Sequence, residues 1–177
     1  MPQVFTCLEE ECGSGLLTPP NGLDEILAMF GDHSEYLHPD GTLDSKWQSG
    51  FLATATSPFP MLLAWDRTKY ISHFTCHRFL AEVFSAIFLT IQEQGLQATV
   101  HSFGGCFAFR RQRTGNKLSA HSWGIAIDLN SETNQQGSRG NMDASLIEVF
   151  RSAGFTWGGD WEGNTKDPMH FQFCTGY

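Results

Sequence analysis

Large aliphatic residues alternate with small or polar ones over residues 124–130, in the segment Gly-Ile-Ala-Ile-Asp-Leu-Asn. Successive side chains of a β-strand point to opposite faces, so this period of two predicts a short strand. Ile125, Ile127 and Leu129 would face a hydrophobic core. Asp128 would point away from that core, and the small residues that precede it on the same face would leave space beside it.

The segment 169–173 repeats this pattern near the end of the chain, with one methionine and two phenylalanines predicted to point inward. His170 and Gln172 would point the opposite way. If the two strands pair, His170 and Asp128 project from the same face of one sheet. His121 lies just before the first strand, where a loop can fold it towards that face.

Apolar residues between about residues 71 and 94 recur at spacings of three and four, which predicts a long amphipathic helix. His73 and His77 would lie four residues apart on this helix. The glutamate of an HExxH zinc motif is missing, because Phe74 follows His73. We therefore expect two partly exposed histidines here rather than metal ligands.

Shorter elements complete the predicted fold. A helix is predicted over about 143–153 and a strand over 98–103. Residues 1–60 are rich in glycine and proline, and one helix, capped by Asn21 and ended by Gly31, stands out among them. We interpret this part as an irregular wrap around the core. Early helices and late strands with short connections predict an α+β fold, a small and mainly antiparallel sheet packed against helices.

The length of 177 residues suits one domain, and no membrane-inserted segment is expected because no apolar stretch approaches about 18 residues. The formal net charge is −8, which argues against binding to nucleic acid. A local basic cluster, Arg110, Arg111, Arg113 and Lys117, is either a solvated turn or a contact for an anionic substrate group. A monomer is expected.

Five cysteines, Cys7, Cys12, Cys76, Cys106 and Cys174, show no pairing pattern. The prediction is buried or half-buried free thiols in a reducing cytoplasm, with one disulfide between the first two as the alternative. The N-terminal residues lack the features of a secretory signal, so synthesis in the cytoplasm is expected.

Two histidines and a carboxylate with a coordination position left for water form the ligand set of a catalytic zinc site, here His121, Asp128 and His170. Asp167 lies three residues before His170, with Pro168 in the intervening turn, and could take a proton from the water. Taken singly, each of these residues is more often an ordinary hydrogen-bonded side chain or a turn residue. The prediction therefore depends on their combination on one predicted sheet.

Two motifs link the chain to known proteins. Ser119, His121 and Asp128 match the pattern S-x-H-x(6)-D, and residues 167–170 match an acid-x-x-His pattern that is followed by phenylalanine. With these motifs the chain resembles the zinc peptidases that include D-alanyl-D-alanine carboxypeptidases, D-alanyl-D-alanine dipeptidases, L-alanyl-D-glutamate peptidases and phage endolysins. The resemblance is strongest over residues 104–173.

The resemblance implies that His121, Asp128 and His170 hold Zn²⁺ and that Asp167 is the general base. The sequence Gly-Gly-Asp-Trp at residues 158–161 and an aspartate in the role of base resemble the branch with L-alanyl-D-glutamate peptidases and several endolysins. A separate wall-binding module, which many endolysins carry, is not expected here.

The resemblance also implies an upstream arginine that binds substrate and stabilises an oxyanion. Arg111 is the choice made here, with Arg110 as the alternative. Ser119 would fix the local geometry or contact the substrate. Trp123 and Trp161 would line the cleft, although large aromatic side chains more often belong to a core.

The expected function is therefore zinc-dependent hydrolysis of a peptidoglycan stem peptide, most simply at the L-Ala–D-Glu bond as in an endolysin. The alternatives are a D-alanyl-D-alanine carboxypeptidase and a non-catalytic, zinc-stabilised module that binds the cell wall. The enzyme would act on the wall after release from the cell, or on wall fragments in the cytoplasm.

Overall fold

A computed structural model describes residues 17–113 and 115–177 of the chain. Within these residues, four α-helices and two antiparallel sheets form an α+β fold, which confirms the predicted fold class. No helix in this part of the chain has both the length and the apolar character needed to cross a bilayer. Cys7, Cys12 and the N-terminal residues without signal features lie outside the described residues.

The bounds of the elements are as follows. The helices are α1 (Gly22–Phe30), α2 (Ser45–Phe51), α3 (Ala81–Glu93) and α4 (Ala144–Ser152). The strands are β1 (Leu52–Leu62), β2 (Tyr70–His77), β3 (Phe103–Gly105), β4 (Ala126–Leu129), β5 (Thr156–Trp157) and β6 (His170–Gln172). The helices α1 and α4 and the strands β4 and β6 lie where the sequence predicts them.

The predicted helix over residues 71–94 is wrong in its first part, which forms strand β2. Phe74 and Cys76 are buried while the residues between and before them are exposed, so the period here is two. His73 is exposed on the strand. His77 is fully buried, and its Nε2 lies 3.2 Å from the carbonyl oxygen of Phe30. Neither histidine is a half-exposed helix residue.

The prediction that residues 1–60 are irregular apart from one helix is also wrong for residues 45–60, which form α2 and most of β1. Strand β1 pairs antiparallel with β2. Pro58 and Pro60 lie on its exposed face, within the bulge that separates the paired residues Thr56 and Met61. Because proline cannot donate to a sheet ladder, a bulge is a position where a strand tolerates it. Whether residues 1–177 form a single domain stays a prediction.

The second sheet has the strand order β3-β4-β6-β5, so β4 and β6 are its central strands. They pair antiparallel, with Asp128 directly opposite His170, as the two alternating segments predict. The strand predicted over 98–103 is wrong. Residues Gln97–Thr99 form a 3₁₀ turn, and β3 begins only at Phe103.

One continuous cluster of buried apolar side chains joins both sheets to the helices. Asp143 caps the N-terminus of helix α4, where its carboxylate accepts hydrogen bonds from the backbone N–H of Ser145 and Leu146. Its Phe150 stacks on Phe171 of β6, with ring centroids 4.3 Å apart. The thiols of Cys76, Cys106 and Cys174 are free and buried, as predicted. The sheet that carries the motif residues is therefore supported from behind by a packed core.

Candidate metal centre

Three buried side chains converge beside the central strands of the second sheet. Nε2 of His121 lies 3.1 Å from Oδ1 of Asp128, and Nδ1 of His170 lies 2.9 Å from the same oxygen. The two histidine nitrogens are 3.2 Å apart. These residues form a group that could hold a metal ion. The structure thus brings together the three residues predicted as ligands.

A tight turn holds His121 in place. The side chain of Ser119 caps a 3₁₀ turn over Ala120–Trp123 and accepts a hydrogen bond from the backbone N–H of His121. Gly124 ends this turn with φ +68°, and a Cβ there would lie 2.7 Å from the backbone nitrogen of His77. Gly124 therefore allows the turn to approach strand β2, and it does not leave space beside Asp128.

Gly104 leaves that space instead. A Cβ at this position would lie 2.9 Å from Cβ of Asp128 and 3.1 Å from its carbonyl oxygen. Both faces of β4 are covered by protein, since all four residues of the strand are buried. Asp128 is 7% exposed, so its carboxylate is held in a nearly closed environment.

Hydrogen bonding fixes the tautomer of His121. Its Nδ1 lies 2.6 Å from the carbonyl oxygen of Cys106. A carbonyl oxygen only accepts, so Nδ1 carries the proton and donates it. In the neutral ring, the lone pair is then on Nε2, the atom that faces Asp128.

Two successive hydrogen bonds fix the tautomer of His170 in a similar way. The side-chain amide of Gln172 donates from Nε2 to the carbonyl oxygen of Cys174, at 3.4 Å, which orients the amide. Its Oε1 therefore faces Nε2 of His170, 3.0 Å away, and accepts a hydrogen bond from it. The lone pair of His170 is consequently on Nδ1, which faces the same point as Nε2 of His121.

When both imidazoles are neutral, their lone pairs and the carboxylate point at a common centre, an arrangement that repels itself unless a cation or a proton occupies it. Burial alone would lower the pKa of His170, but the hydrogen bond with Asp128 raises that pKa above its ordinary value, so a proton is favoured there when no cation is bound. Ligand atoms about 2.0–2.1 Å from a tetrahedral zinc ion would be about 3.3 Å apart, close to the spacings found here. Burial alone would raise the pKa of Asp128, but His121 and His170 lower it well below its usual range. The nitrogen and oxygen donors therefore fit Zn²⁺.

Asp167 lies beside the three residues without contacting them through its own carboxylate. Its backbone N–H donates a hydrogen bond to the carbonyl oxygen of Gly158. Its backbone carbonyl oxygen accepts one from the N–H of His170. Oδ1 is buried and has no hydrogen-bond partner among the described residues. Burial raises the pKa of Asp167 to about 6, against the lowering effect of the nearby His170. A carboxyl group with these properties is suited to accepting a proton.

A cavity of about 530 Å³ opens onto the cluster. Asp128, Asp167 and His170 line it, together with Ser119 and Trp161. Both of these predicted substrate-contact residues are therefore next to the cluster. Trp123, predicted to line the cleft, does not lie in this cavity.

Trp123 belongs to the core. It is 1% exposed, its indole N–H donates to the carbonyl oxygen of Gly31, and its ring packs edge-on against His33. The two arginines considered from the sequence differ in their position relative to the cavity. Arg110 lines the cavity, whereas Arg111 is exposed and its guanidinium donates to the carbonyl oxygen of Asn116.

Tyr177 was not predicted at the site, and Arg113 and Lys117 were considered only as members of a basic cluster that could contact an anionic substrate group. Arg113 lines the cavity, and its charge acts to lower the pKa of Asp167. Lys117 and Tyr177 line it as well, with the ammonium 5.2 Å from the centre of the ring. The alternation of the last strand placed Gln172 on the face of His170, and this was the available signal for its role.

A comparison with protein families found a match over residues 112–173 to the family described as D-alanyl-D-alanine carboxypeptidase. No solved structure matches the chain significantly. The matched segment contains the three converging residues and Asp167. The match supports the resemblance predicted from the sequence, to the zinc peptidases that include the D-alanyl-D-alanine carboxypeptidases.

Proposed function

We propose that this chain is a zinc-dependent endopeptidase of peptidoglycan that hydrolyses the L-Ala–D-Glu bond of the stem peptide. The observation that carries the proposal is the convergence of two histidine lone pairs and one carboxylate, with an unpartnered carboxylate, Asp167, beside them. A module that only binds the cell wall has no use for a partly buried carboxyl group whose pKa is raised.

An endopeptidase must accept substrate on both sides of the bond that it cuts. A second cavity, of about 810 Å³, adjoins the first, and the two share Arg113, Asp128 and Gln136 as lining residues. Space for substrate therefore extends beyond the first cavity. This favours cleavage within a chain over removal of a terminal residue.

The roles of the residues follow from their positions. Zinc held by His121, Asp128 and His170 would supply Lewis-acid chemistry, which polarises the scissile carbonyl and lowers the pKa of water. Asp167 would accept a proton from the attacking water and return it to the leaving amine. Arg113, which lines both cavities, would bring positive charge near the oxygen that becomes negative.

A D-alanyl-D-alanine carboxypeptidase is the second candidate, and the description of the matching family favours it. Arg110, Arg113 and Lys117 give the first cavity a basic wall inside an acidic chain. Such a wall suits a terminal carboxylate, although it suits the free α-carboxylate of D-Glu equally well.

The test is digestion of purified peptidoglycan by the zinc-loaded protein, with mass spectrometry of the fragments. New D-Glu amino termini that disappear with a chelator and return with zinc are expected. Release of free D-Ala would replace the proposal with the carboxypeptidase, and no cleavage of several wall types would favour the binding module. As a control, Asp167→Asn should keep stoichiometric zinc and lose turnover. Loss of zinc in this variant would make Asp167 a ligand instead of a base.

A further inference from the structure

The second cavity contains an aromatic side chain whose exposure the core does not explain. Trp65 is 65% exposed and lines this cavity. One side of its ring leans on Phe103, with centroids 6.2 Å apart. A tryptophan left open to solvent at the wall of a cavity is suited to bind a flat, partly apolar ligand.

The turn that carries Trp65 is held firmly. The carboxylate of Asp66 accepts a hydrogen bond from the hydroxyl of Thr68 and pairs with the ammonium of Lys69 at 2.9 Å. Arg67 reaches across to Glu132, 3.4 Å away, in the loop that follows β4. This ion pair links the turn that carries Trp65 to the loop that follows β4.

One part of the cavity wall consists of neutral polar side chains, beside the charged Arg113 and Asp128. These neutral residues are Ser131, Gln135, Gln136 and Asn164. Asn134 is fully buried and fixes the loop that follows β4, since its backbone carbonyl oxygen accepts a hydrogen bond from the backbone N–H of Met169.

The amides of this wall are available to a ligand. The side chains of Gln135 and Asn164 make no hydrogen bond to any other described residue. Gln136 donates from Nε2 to the carbonyl oxygen of Asn164, which leaves its own side-chain oxygen as an acceptor. The wall can therefore offer both donors and acceptors without a formal charge.

We infer that this cavity is a subsite for an N-acetylated sugar, the muramyl residue that carries the stem peptide. An aromatic face packs against the C–H bonds of one side of a pyranose ring, and neutral amides match its hydroxyl and acetamido groups. The inference rests on the proposed function. L-Ala is joined to the lactyl group of muramic acid, so the sugar lies about two residue lengths, roughly 7 Å, from an L-Ala–D-Glu bond. Cavities that share Asp128 suit that short separation.

The first test compares two substrates, the free stem peptide and the same peptide attached to its muramyl disaccharide. We expect Trp65→Ala to lower kcat/KM about three- to tenfold for the muropeptide, the size of an aromatic contact, and to leave the free peptide unchanged. Tyr70→Ala is the matched control, because Tyr70 is equally exposed on the same hairpin and does not line the cavity. An equal loss on both substrates, or no loss on either, would overturn the inference.

The second test does not depend on cleavage. Saturation-transfer NMR with the peptide-free GlcNAc–MurNAc disaccharide should show contact with the zinc-loaded wild-type protein and with Tyr70→Ala, but not with Trp65→Ala. Binding of the disaccharide without any hydrolysis would refute the proposed function and keep the subsite. Hydrolysis without a preference for the sugar-linked substrate, and without disaccharide contact, would refute the subsite and keep the function.

Discussion

Nε2 of His170 lies 3.0 Å from Oε1 of Gln172, on the side of the imidazole ring opposite to Asp128. This hydrogen bond leaves the lone pair on Nδ1, where it faces the other two donors. Groups that orient a histidine ligand in this way typically contribute a factor of about 10–100 to metal affinity. Gln172 is therefore a positioning residue for the metal centre.

We predict that Gln172→Met, which keeps the volume and removes the acceptor, weakens zinc binding about 10- to 100-fold. Gln172→Glu restores an acceptor and should recover most of that affinity. The measurement is competition for zinc with a chromophoric chelator. Equal affinities of Gln172→Met and the wild type would show that packing alone orients His170.

Asp167 should lower the stability of the metal-free protein at neutral pH. Its pKa is raised by burial to about 6 in the folded state, against the ordinary value of 3.8. Between these values the folded state binds more protons than the unfolded state, so stability falls as pH rises from about 4 through 6. Below pH 4 both states are protonated, and the effect vanishes.

The measurement is thermal or urea unfolding of wild type and Asp167→Asn in the presence of a chelator. At pH 7 the variant should be more stable by about 1–2 kcal/mol, after allowance for screening by solvent around a partly exposed group. At pH 4 the two proteins should unfold alike. A difference that persists unchanged at pH 4 would trace the effect to something other than the charge.

The space beside Asp128 gives a third prediction. Gly104→Ala would place a methyl group 2.9 Å from Cβ of Asp128, and strand β3 would have to move. We expect a loss of about 1–3 kcal/mol in the free energy of unfolding and weaker zinc binding. Gly50→Ala is the control, because Gly50 lies in helix α2 and no atom lies within 4 Å of the added Cβ. Similar destabilisation of both variants would contradict this account.

The arginines give a fourth prediction. Arg113→Gln should raise KM for the stem peptide about tenfold, the size of a lost charge-assisted hydrogen bond. Arg111→Gln should change KM little, because Arg111 does not line the cavity and its guanidinium donates to the backbone carbonyl oxygen of Asn116. Steady-state kinetics of the two variants, which change net charge equally, decide between them. A larger effect at Arg111 would favour the arginine chosen from the sequence.

The convergence of His121, Asp128 and His170 was predictable because it depends on local rules. Two alternating segments that pair antiparallel put Asp128 and His170 opposite each other, and the motif spacing selects His121. The choice among Arg110, Arg111 and Arg113 was not predictable. These residues belong to a loop without periodicity, and its course depends on backbone contacts such as the bridge between Arg111 and Leu118.

The error at strand β2 has a different origin. The apolar period of helix α3 continues by chance into residues 71–77, where His73 and His77 also fit a helical spacing. Packing of Phe74 against Phe84 and Phe88 of α3 and pairing with β1 decide the strand, and both are tertiary effects. Pro58 and Pro60 concealed β1 in the same way, because the bulge that accommodates them cannot be recognised without the partner strand.

Because Asp128 pairs directly with His170, the fraction of molecules that bind metal would equal the fraction whose central strands are correctly aligned. A shift of one residue between β4 and β6 would turn His170 to the opposite face and separate the donors completely. A chain with misaligned strands would therefore take up no zinc, however compact it became. The bound metal would report correct alignment of the central strands in each molecule, and preparations could be standardised on it.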